Sequence, residues 1–308
     1  MRQFLLISIV VLIGGLFVGG SNYFDHHIIR ELWESGHFVL FSFSSFYLYT
    51  YSRLNRIEEI KRLIIILGIL IVAGFMAEVM QLCVGRKFET KDLLNNLSGT
   101  LAGLLIPYLR FKANPGRTVL LWLLFISLAF FSNRPLLSAI VREVRLRQNF
   151  PVLSDFETPS QLEWWQDNMA RLSISDSTVK HGKFSMRVEL FPGKYPGITL
   201  MHLHRNWQDY QFIELSIYLN SEHPINLVMR VHDRQHPSSG YDYHDRFNDT
   251  LSLSSGWNDF SLSLHSIQNA PDGRSMDMRK ITSLALFAVD LQQNTTLYID
   301  NVQLVSKL

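Results

Sequence analysis

The sequence predicts two successive structures, a bundle of about five transmembrane α-helices followed by an all-β sandwich. Residues 1–133 are dominated by Leu, Ile, Phe, Val and Gly, with charges confined to short clusters, whereas the chain after residue 150 is a mixed sequence of soluble type. In that second half, short runs of alternating polarity are separated by Gly- and Pro-containing turns, which is typical of antiparallel strands. We therefore predict domains at 1–133 and 151–308, joined by a juxtamembrane linker at 134–150.

The overall composition excludes some classes of function. A formal net charge of +2 over 308 residues, without a sustained basic face, argues against nucleic acid as a partner. The single cysteine, Cys83, provides neither an internal disulfide nor a cysteine-based metal cluster.

Five apolar segments approach the length of about 20 residues that a helix needs to cross a bilayer. They are residues 4–20, 36–51, 63–84, 93–109 and 118–131. The last is short, and the sequence SNRP at 132–135 interrupts its extension toward Ile140. The first could also be a secretory signal, because small residues follow it, but the lack of an A-x-A site favours an uncleaved helix.

The distribution of basic residues predicts the orientation of these helices. Arg2 and the loops at 53–62 and 110–117 together carry eight Lys and Arg residues, whereas the opposite loops carry four: Arg30, Arg86, Lys87 and Lys91. The N-terminus is then cytoplasmic, and five crossings place the second half outside. If the fifth segment does not cross, the second half is cytoplasmic instead.

Polar residues recur at helical spacing near the outer ends of three predicted helices and in one turn between them. They are His37, Glu78, Gln81, Arg86, Asp92 and Asn96. Ionisable groups in membrane helices are costly and usually face a bundle interior or a wet cavity, so these residues form a candidate binding or catalytic site. Structural alternatives exist: Asp92 could cap a helix, and Gly99 with Gly103 could allow close helix packing. Glu78, inside an apolar run, fits neither alternative.

This pattern resembles the VanZ-like family of bacterial membrane proteins over roughly residues 20–110. The matching elements are a His that opens one helix, Glu-x-x-Gln, an Arg in the following turn, and Asp-x-x-x-Asn-x-x-Gly ending at Gly99. The family takes its name from a protein that confers resistance to the glycopeptide antibiotic teicoplanin. The resemblance implies a multi-pass protein of the bacterial inner membrane and a role in the cell envelope, but it supplies no reaction.

The second half resembles the galactose-binding-like jelly rolls used by carbohydrate-binding modules. The matching segments include the opening DFETPSQLEWW, the strand HGKFSMRVEL and the closing LYIDNVQL. Aromatic and polar side chains that could contact a sugar are concentrated in the loop 236–249 and beside the first strand. We predict a ligand site there, formed by Tyr241, Tyr243, Asp245, Arg246 and Trp165.

The same resemblance implies a structural calcium ion held by Glu157 and Asp300, which lie near the first and last strands. No other cofactor is predicted.

The most economical function is then non-catalytic. The helices anchor the protein in membrane lipid, and the extracytoplasmic sandwich recognises an envelope polysaccharide, a peptidoglycan fragment or a glycopeptide. One alternative is a membrane enzyme or transporter that acts on a lipid-linked glycan through the polar helical site, because a His and two carboxylates beside an Arg suit acid–base chemistry. Another is an envelope scaffold without a ligand.

Overall fold

The computed structural model describes residues 2–16, 27–51, 53–83, 89–110 and 115–306. The chain divides into two compact units, Met1–Glu143 and Val144–Leu308. The first is helical and the second is built from antiparallel sheets.

Five helices longer than one turn lie in the described part before residue 150. They are α1 (Arg2–Leu16), α2 (His27–Tyr51), α3 (Glu59–Cys83), α4 (Thr90–Leu105) and α5 (Pro115–Asn149). Two of them, α3 and α5, are long and apolar enough to cross a membrane, and the apolar part of α1 is shorter. Five crossings therefore stay a prediction, since α2 and α4 carry more polar residues than a simple membrane span.

Helix α5 continues through residues 132–135, where the sequence predicted an interruption. It runs through Pro135 to Asn149, so the segment predicted as a linker at 134–150 is almost entirely helical. A proline removes one N–H and displaces one carbonyl, and a long apolar helix tolerates that loss when the remaining backbone bonds are intact. The boundary between the two units, after Glu143, falls within this helix.

Helices α2 and α4 pack at the distance that only glycine allows. A Cβ added to Gly103 would overlap the carbonyl oxygen of Ser42 and the Oγ of Ser45, and one added to Gly99 would lie 3.0 Å from the carbonyl carbon of Phe38. Gly99 and Gly103 therefore allow α2 and α4 to pack closely, which was one of the two interpretations of their spacing.

The second unit is a sandwich of two antiparallel sheets, which confirms the predicted all-β fold. The six-stranded sheet contains β1 (Val152–Ser154), β3 (Ala170–Ser175), β4 (Ser185–Leu190), β6 (Phe212–Leu219), β9 (Gly256–Ser263) and β11 (Thr295–Val305). The five-stranded sheet contains β2 (Trp165–Asn168), β5 (Gly197–Leu200), β7 (Ile225–Asp233), β8 (Phe247–Leu253) and β10 (Ile281–Phe287). A short helix, α6 (Leu264–Gln268), follows β9.

Neither sheet follows chain order. The six-stranded sheet runs β3-β4-β11-β6-β9, with β1 on β11, and the five-stranded sheet runs β2-β5-β10-β7-β8. Alternate residues of each strand point into the core, as Leu227, Met229 and Val231 of β7 show. Trp207 is also fully buried, and its Nε1 donates a hydrogen bond of 2.8 Å to the carbonyl of His204.

Candidate functional site

A cleft of about 730 Å³ lies on the face of the five-stranded sheet that points away from the core. The strand register fixes its floor, because Gln166 pairs with Thr199, Thr199 with Ala285, Ala285 with Arg230, and Arg230 with Asn248. These five residues form one row across all five strands. Adjacent strands lie about 4.8 Å apart, so the row is roughly 19 Å long. An elongated ligand can therefore lie across the strands.

The middle of the floor is low because small residues occupy it. Ala285 lies on the central strand β10, and Gly197 of the neighbouring β5 pairs with Phe287. A Cβ at Gly197 would overlap the carbonyl oxygen of Leu286, so glycine is required there by the close approach of the two strands. The cavity volume is within the range typical of small-ligand sites.

Two tyrosines stand beside the cleft on opposite sides of β10. Tyr195 precedes β5, is 48% exposed, and contacts the Phe287 ring edge-on at 6.0 Å between centroids. Asn168 fixes this segment through a hydrogen bond of 2.7 Å from its Nδ2 to the carbonyl of Tyr195. Tyr243 precedes β8 and is 61% exposed, with the guanidinium of Arg246 at 5.0 Å from its ring centroid. Exposed rings that are held in place suit stacking against a ligand.

The polar atoms of the cleft are incompletely satisfied. Within the described part of the chain, Arg230 Nε, Arg246 Nε and Asn248 Oδ1 are buried without a hydrogen-bond partner. Burial, and then the charge of Arg246, lower the pKa of Arg230. Buried polar groups in native proteins are nearly always bonded, so these three atoms are available to hydrogen-bond a ligand or water in the cleft.

His232 lies on the same strand as Arg230, two residues further on, and contributes no charge near neutral pH. Burial, followed by the neighbouring His236 and Arg230, lowers the pKa of His232 to about 3. The positive charge of this face therefore comes from the two arginines.

The residues predicted from the sequence as a ligand site are only partly brought together. Tyr243 and Arg246 line the cleft. Tyr241, in the same loop, is 65% exposed and is not among the lining residues; its ring contacts His236 at 5.6 Å.

The other two predicted ligand residues have structural contacts. Trp165 is buried in the core, where its Nε1 donates a hydrogen bond of 3.1 Å to Ser154 Oγ. Asp245 binds the guanidinium of Arg274 through Oδ1, and its Oδ2 lies 3.3 Å from His236 Nδ1. A buried ring and a fully engaged carboxylate leave little for a ligand to contact.

Sequence reasoning did not select Gln166, Thr199, Arg230 or Asn248 as site residues. One signal was present: in VMRVH (228–232) the apolar residues Met229 and Val231 alternate with Arg230, which places a charged residue on the outward face. The residues from β2 and β5 gave no such signal, because each of these strands is four residues long.

Glu157 and Asp300, predicted to hold calcium, both accept hydrogen bonds from the backbone of segment 180–184. Asp300 Oδ2 accepts hydrogen bonds from the backbone N–H groups of Lys180 and His181, at 2.8 and 2.9 Å. Glu157 Oε1 accepts from those of Lys183 and Phe184, at 2.8 and 3.0 Å. Both carboxylates thus bind the backbone of segment 180–184, and calcium at Glu157 and Asp300 stays a prediction.

The polar residues of the helical unit do converge, except for Arg86, which lies outside the described residues. His37, Glu78, Gln81, Asp92 and Asn96 are all buried. His37 Nδ1 lies 3.0 Å from Asn96 Oδ1, within hydrogen-bond distance. The other ring nitrogen, Nε2, lies 3.4 Å from Asp92 Oδ2.

This arrangement has a defined chemical capacity. Ligand atoms of His37, Glu78 and Asp92 all lie within 4.8 Å of one another, so the group could bind a divalent cation or perform acid–base chemistry. Asp92 is not the N-cap of α4, since Glu89 holds that position and Asp92 lies in the first turn.

No family model matches this chain, and no curated protein matches it. The resemblance to the VanZ-like family therefore stays a prediction.

Similar solved structures include an exo-beta-agarase, with a TM-score of 0.42 and 14% identity. The match covers 51% of this chain and 25% of the agarase. A family 11 carbohydrate-binding module from Clostridium thermocellum, in complex with a beta-1,3-1,4-mixed-linked tetrasaccharide, has a TM-score of 0.39 and 17% identity, covering 51% of this chain and 95% of the module. A family 30 module of a cellulosomal cellulase from the same organism has a TM-score of 0.35 and 12% identity, covering 47% and 91%. These TM-scores and identities are too low to indicate which residues of this chain bind a ligand.

Proposed function

We propose that the sandwich is a glycan-binding domain and that its ligand lies in the cleft across the five-stranded sheet. The observation that carries this proposal is the cleft itself, a trough across five strands with an exposed tyrosine on either side of β10. Sugar rings offer apolar faces to aromatic side chains and hydroxyl groups to amides and guanidinium groups. Tyr195 and Tyr243 supply the first kind of partner, and Gln166, Asn248 and Arg230 supply the second.

In this proposal the helical unit anchors the sandwich at the outer face of a bacterial cytoplasmic membrane. Two helices, α3 and α5, have the length and apolarity to cross a bilayer, and the basic loops favour a cytoplasmic N-terminus. The five crossings predicted from the sequence then place the cleft on the side where envelope polysaccharides, peptidoglycan fragments and glycopeptides occur. The protein would hold such a glycan near the membrane surface without cleaving it.

The first test removes one tyrosine at a time. We expect Tyr195→Ala and Tyr243→Ala each to weaken glycan binding about five- to tenfold, because an aromatic contact of this kind contributes about 1 kcal/mol. The measurement is a glycan array probed with the purified full-length protein, followed by titration of the best ligand.

Tyr241→Ala is the matched control for that test, since Tyr241 is an exposed tyrosine of the same loop that does not line the cleft. Equal losses for Tyr241→Ala and Tyr243→Ala would place the ligand outside the cleft. A protein that retains every glycan with both cleft tyrosines removed would reject the site.

A second candidate function concerns the helical unit, and the close approach of His37, Glu78 and Asp92 favours it. An imidazole beside two carboxylates can transfer protons at a lipid-linked glycan. We expect Asp92→Asn to lower turnover of a polyprenyl-phosphate-linked oligosaccharide in proteoliposomes at least about a hundredfold, the usual contribution of a general acid or base. Glu34→Gln, which changes a carboxylate that binds Lys91 instead, should retain turnover. A wild-type protein without turnover would eliminate this candidate.

A further inference from the structure

The cleft holds two arginines on neighbouring parts of one sheet face. Arg230 lies in the transverse row opposite Asn248, and Arg246 precedes Asn248 by two residues. Both line the same cleft. Among the lining residues the one carboxylate is that of Asp167, which is exposed on the edge strand β2, at the far side of the sheet from β8.

The two arginines differ from the neighbouring Arg274, which is fully neutralised. Arg274 binds Asp233 through two hydrogen bonds, Nη1 to Oδ2 at 2.7 Å and Nη2 to Oδ1 at 2.9 Å, and also binds Asp245. Within the described part of the chain, neither Arg230 nor Arg246 forms a salt bridge, and the Nε of each lacks a hydrogen-bond partner. Asp233 and Asp245 are thus bound to Arg274, and among the lining residues the two arginines face the single carboxylate of Asp167.

Such an arrangement costs stability in the empty protein. Desolvating a cation without a counter-charge is unfavourable, and a second cation nearby adds repulsion. The pKa of Arg230 is lowered by these two causes, burial first and Arg246 second. A sheet face that only had to bind neutral hydroxyl groups could use amides, as it does at Gln166 and Asn248. Paired guanidinium groups are instead the residues that proteins use for carboxylate, phosphate and sulfate groups.

We propose that the cleft selects an acidic glycan, one whose sugar units carry carboxylate, phosphate or sulfate groups, and that Arg230 and Arg246 together bind this anionic group. This inference rests on the proposed glycan-binding function and specifies its ligand class. Tyr195 and Tyr243 then contact the sugar rings, while the two guanidinium groups bind the anionic group.

The test compares each acidic oligosaccharide with a neutral partner of the same backbone. Full-length protein is titrated with oligogalacturonate and its carboxyl-reduced form, and with a sulfated and a phosphorylated oligosaccharide and their unsubstituted forms. We expect at least one acidic member to bind about tenfold or more tightly than its neutral partner, and added NaCl to weaken that binding. The arms with carboxylate, sulfate and phosphate identify which anion is preferred.

The variants Arg230→Gln and Arg246→Gln should each bring the affinity for the acidic partner close to that for its neutral partner, because glutamine keeps hydrogen-bonding groups but loses the positive charge. Arg230→Lys, which keeps the charge but loses the fork of N–H donors, should retain part of the preference for the acidic partner. Arg171→Gln is the control, because Arg171 lies on the six-stranded sheet and is largely exposed. Circular dichroism establishes that each variant is folded, and residual binding of the neutral oligosaccharide shows that the cleft still forms.

Three outcomes overturn the inference. Equal affinity for acidic and neutral partners would reject charge selection while the proposed glycan-binding function stands. Binding of inorganic phosphate or acetate with no oligosaccharide bound would indicate a small-anion site and reject both proposals. Failure of every glycan to bind would likewise reject both.

Discussion

Replacing Arg274 with alanine is expected to lower the free energy of unfolding of the sandwich by about 3 kcal/mol, the lower end of the loss seen when one partner of a buried ion pair is removed. Asp233 is completely buried, and Arg274 neutralises it through both carboxylate oxygens. The same carboxylate accepts the backbone N–H groups of Gln235 and Asp277, at 3.1 and 2.7 Å. Without the guanidinium, the loops on either side would have to expose or protonate this acid.

The pH dependence of stability provides a second readout of the same variant. Arg274 is the largest cause of the lowered pKa of Asp245, which falls to about 2, and it also lowers the pKa of Asp233. A carboxyl group whose pKa is lowered in the folded state stabilises the fold above its ordinary pKa, and this contribution is lost as the pH falls toward the folded value. The wild-type sandwich should therefore lose stability between about pH 4 and pH 2, and Arg274→Ala should show a weaker dependence in that range.

Urea unfolding of the full-length protein, followed by tryptophan fluorescence at several pH values, measures both effects. Arg171→Ala is the control: its side chain is 74% exposed and lies 3.8 Å from Glu189, so a change within about 0.5 kcal/mol is expected. If Arg274→Ala were as stable as this control, the Arg274 network would have no role in holding the loops beside the cleft.

Substituting Gly103 with alanine is expected to destabilise the helical unit by about 1–3 kcal/mol, the usual cost of adding atoms where there is no space. The new methyl group would overlap the backbone carbonyl of Ser42 as well as Ser45 Oγ. Since a carbonyl in the middle of a helix cannot rotate away, α2 and α4 would have to separate. His37 on α2 and Asn96 on α4 would then lose their contact of 3.0 Å, so the polar helical site would be disturbed together with the packing.

The matched control is Gly68→Ala, also within a helix of this unit. No heavy atom lies within 4 Å of a Cβ placed on Gly68, so only the helix propensity changes, by up to about 1 kcal/mol in favour of alanine. Thermal unfolding of the purified protein followed by the helical circular dichroism signal compares the two. A Gly103→Ala protein that melts at or above the temperature of Gly68→Ala would show that α2 and α4 are not in close contact.

The sequence by itself determined which side of each longer strand is buried. In β7 the alternation of Met229 and Val231 with Arg230 is a local property of the chain, because successive residues of a strand point to opposite faces. The same local information predicted the helical first half and offered close packing at Gly99 and Gly103 as one alternative. It also selected Tyr243 and Arg246, which lie in a polar loop of the type that carries function.

Only the tertiary structure decided which strands meet and therefore where the cleft lies. Gln166 and Asn248 stand in one row of the floor although more than 80 residues separate them in the sequence, and the strand order β2-β5-β10-β7-β8 has no local signature. Nothing in the sequence distinguishes Tyr241 from Tyr243 as a ligand residue. In the structure the ring of Tyr241 contacts His236, whereas Tyr243 lines the cleft. Likewise, only the fold shows that Asp300 Oδ2 accepts the backbone N–H groups of Lys180 and His181, more than 100 residues earlier in the chain. The physical reason is the same in each case: strand register and loop anchoring depend on hydrogen bonds between distant segments, which no local pattern of residues specifies.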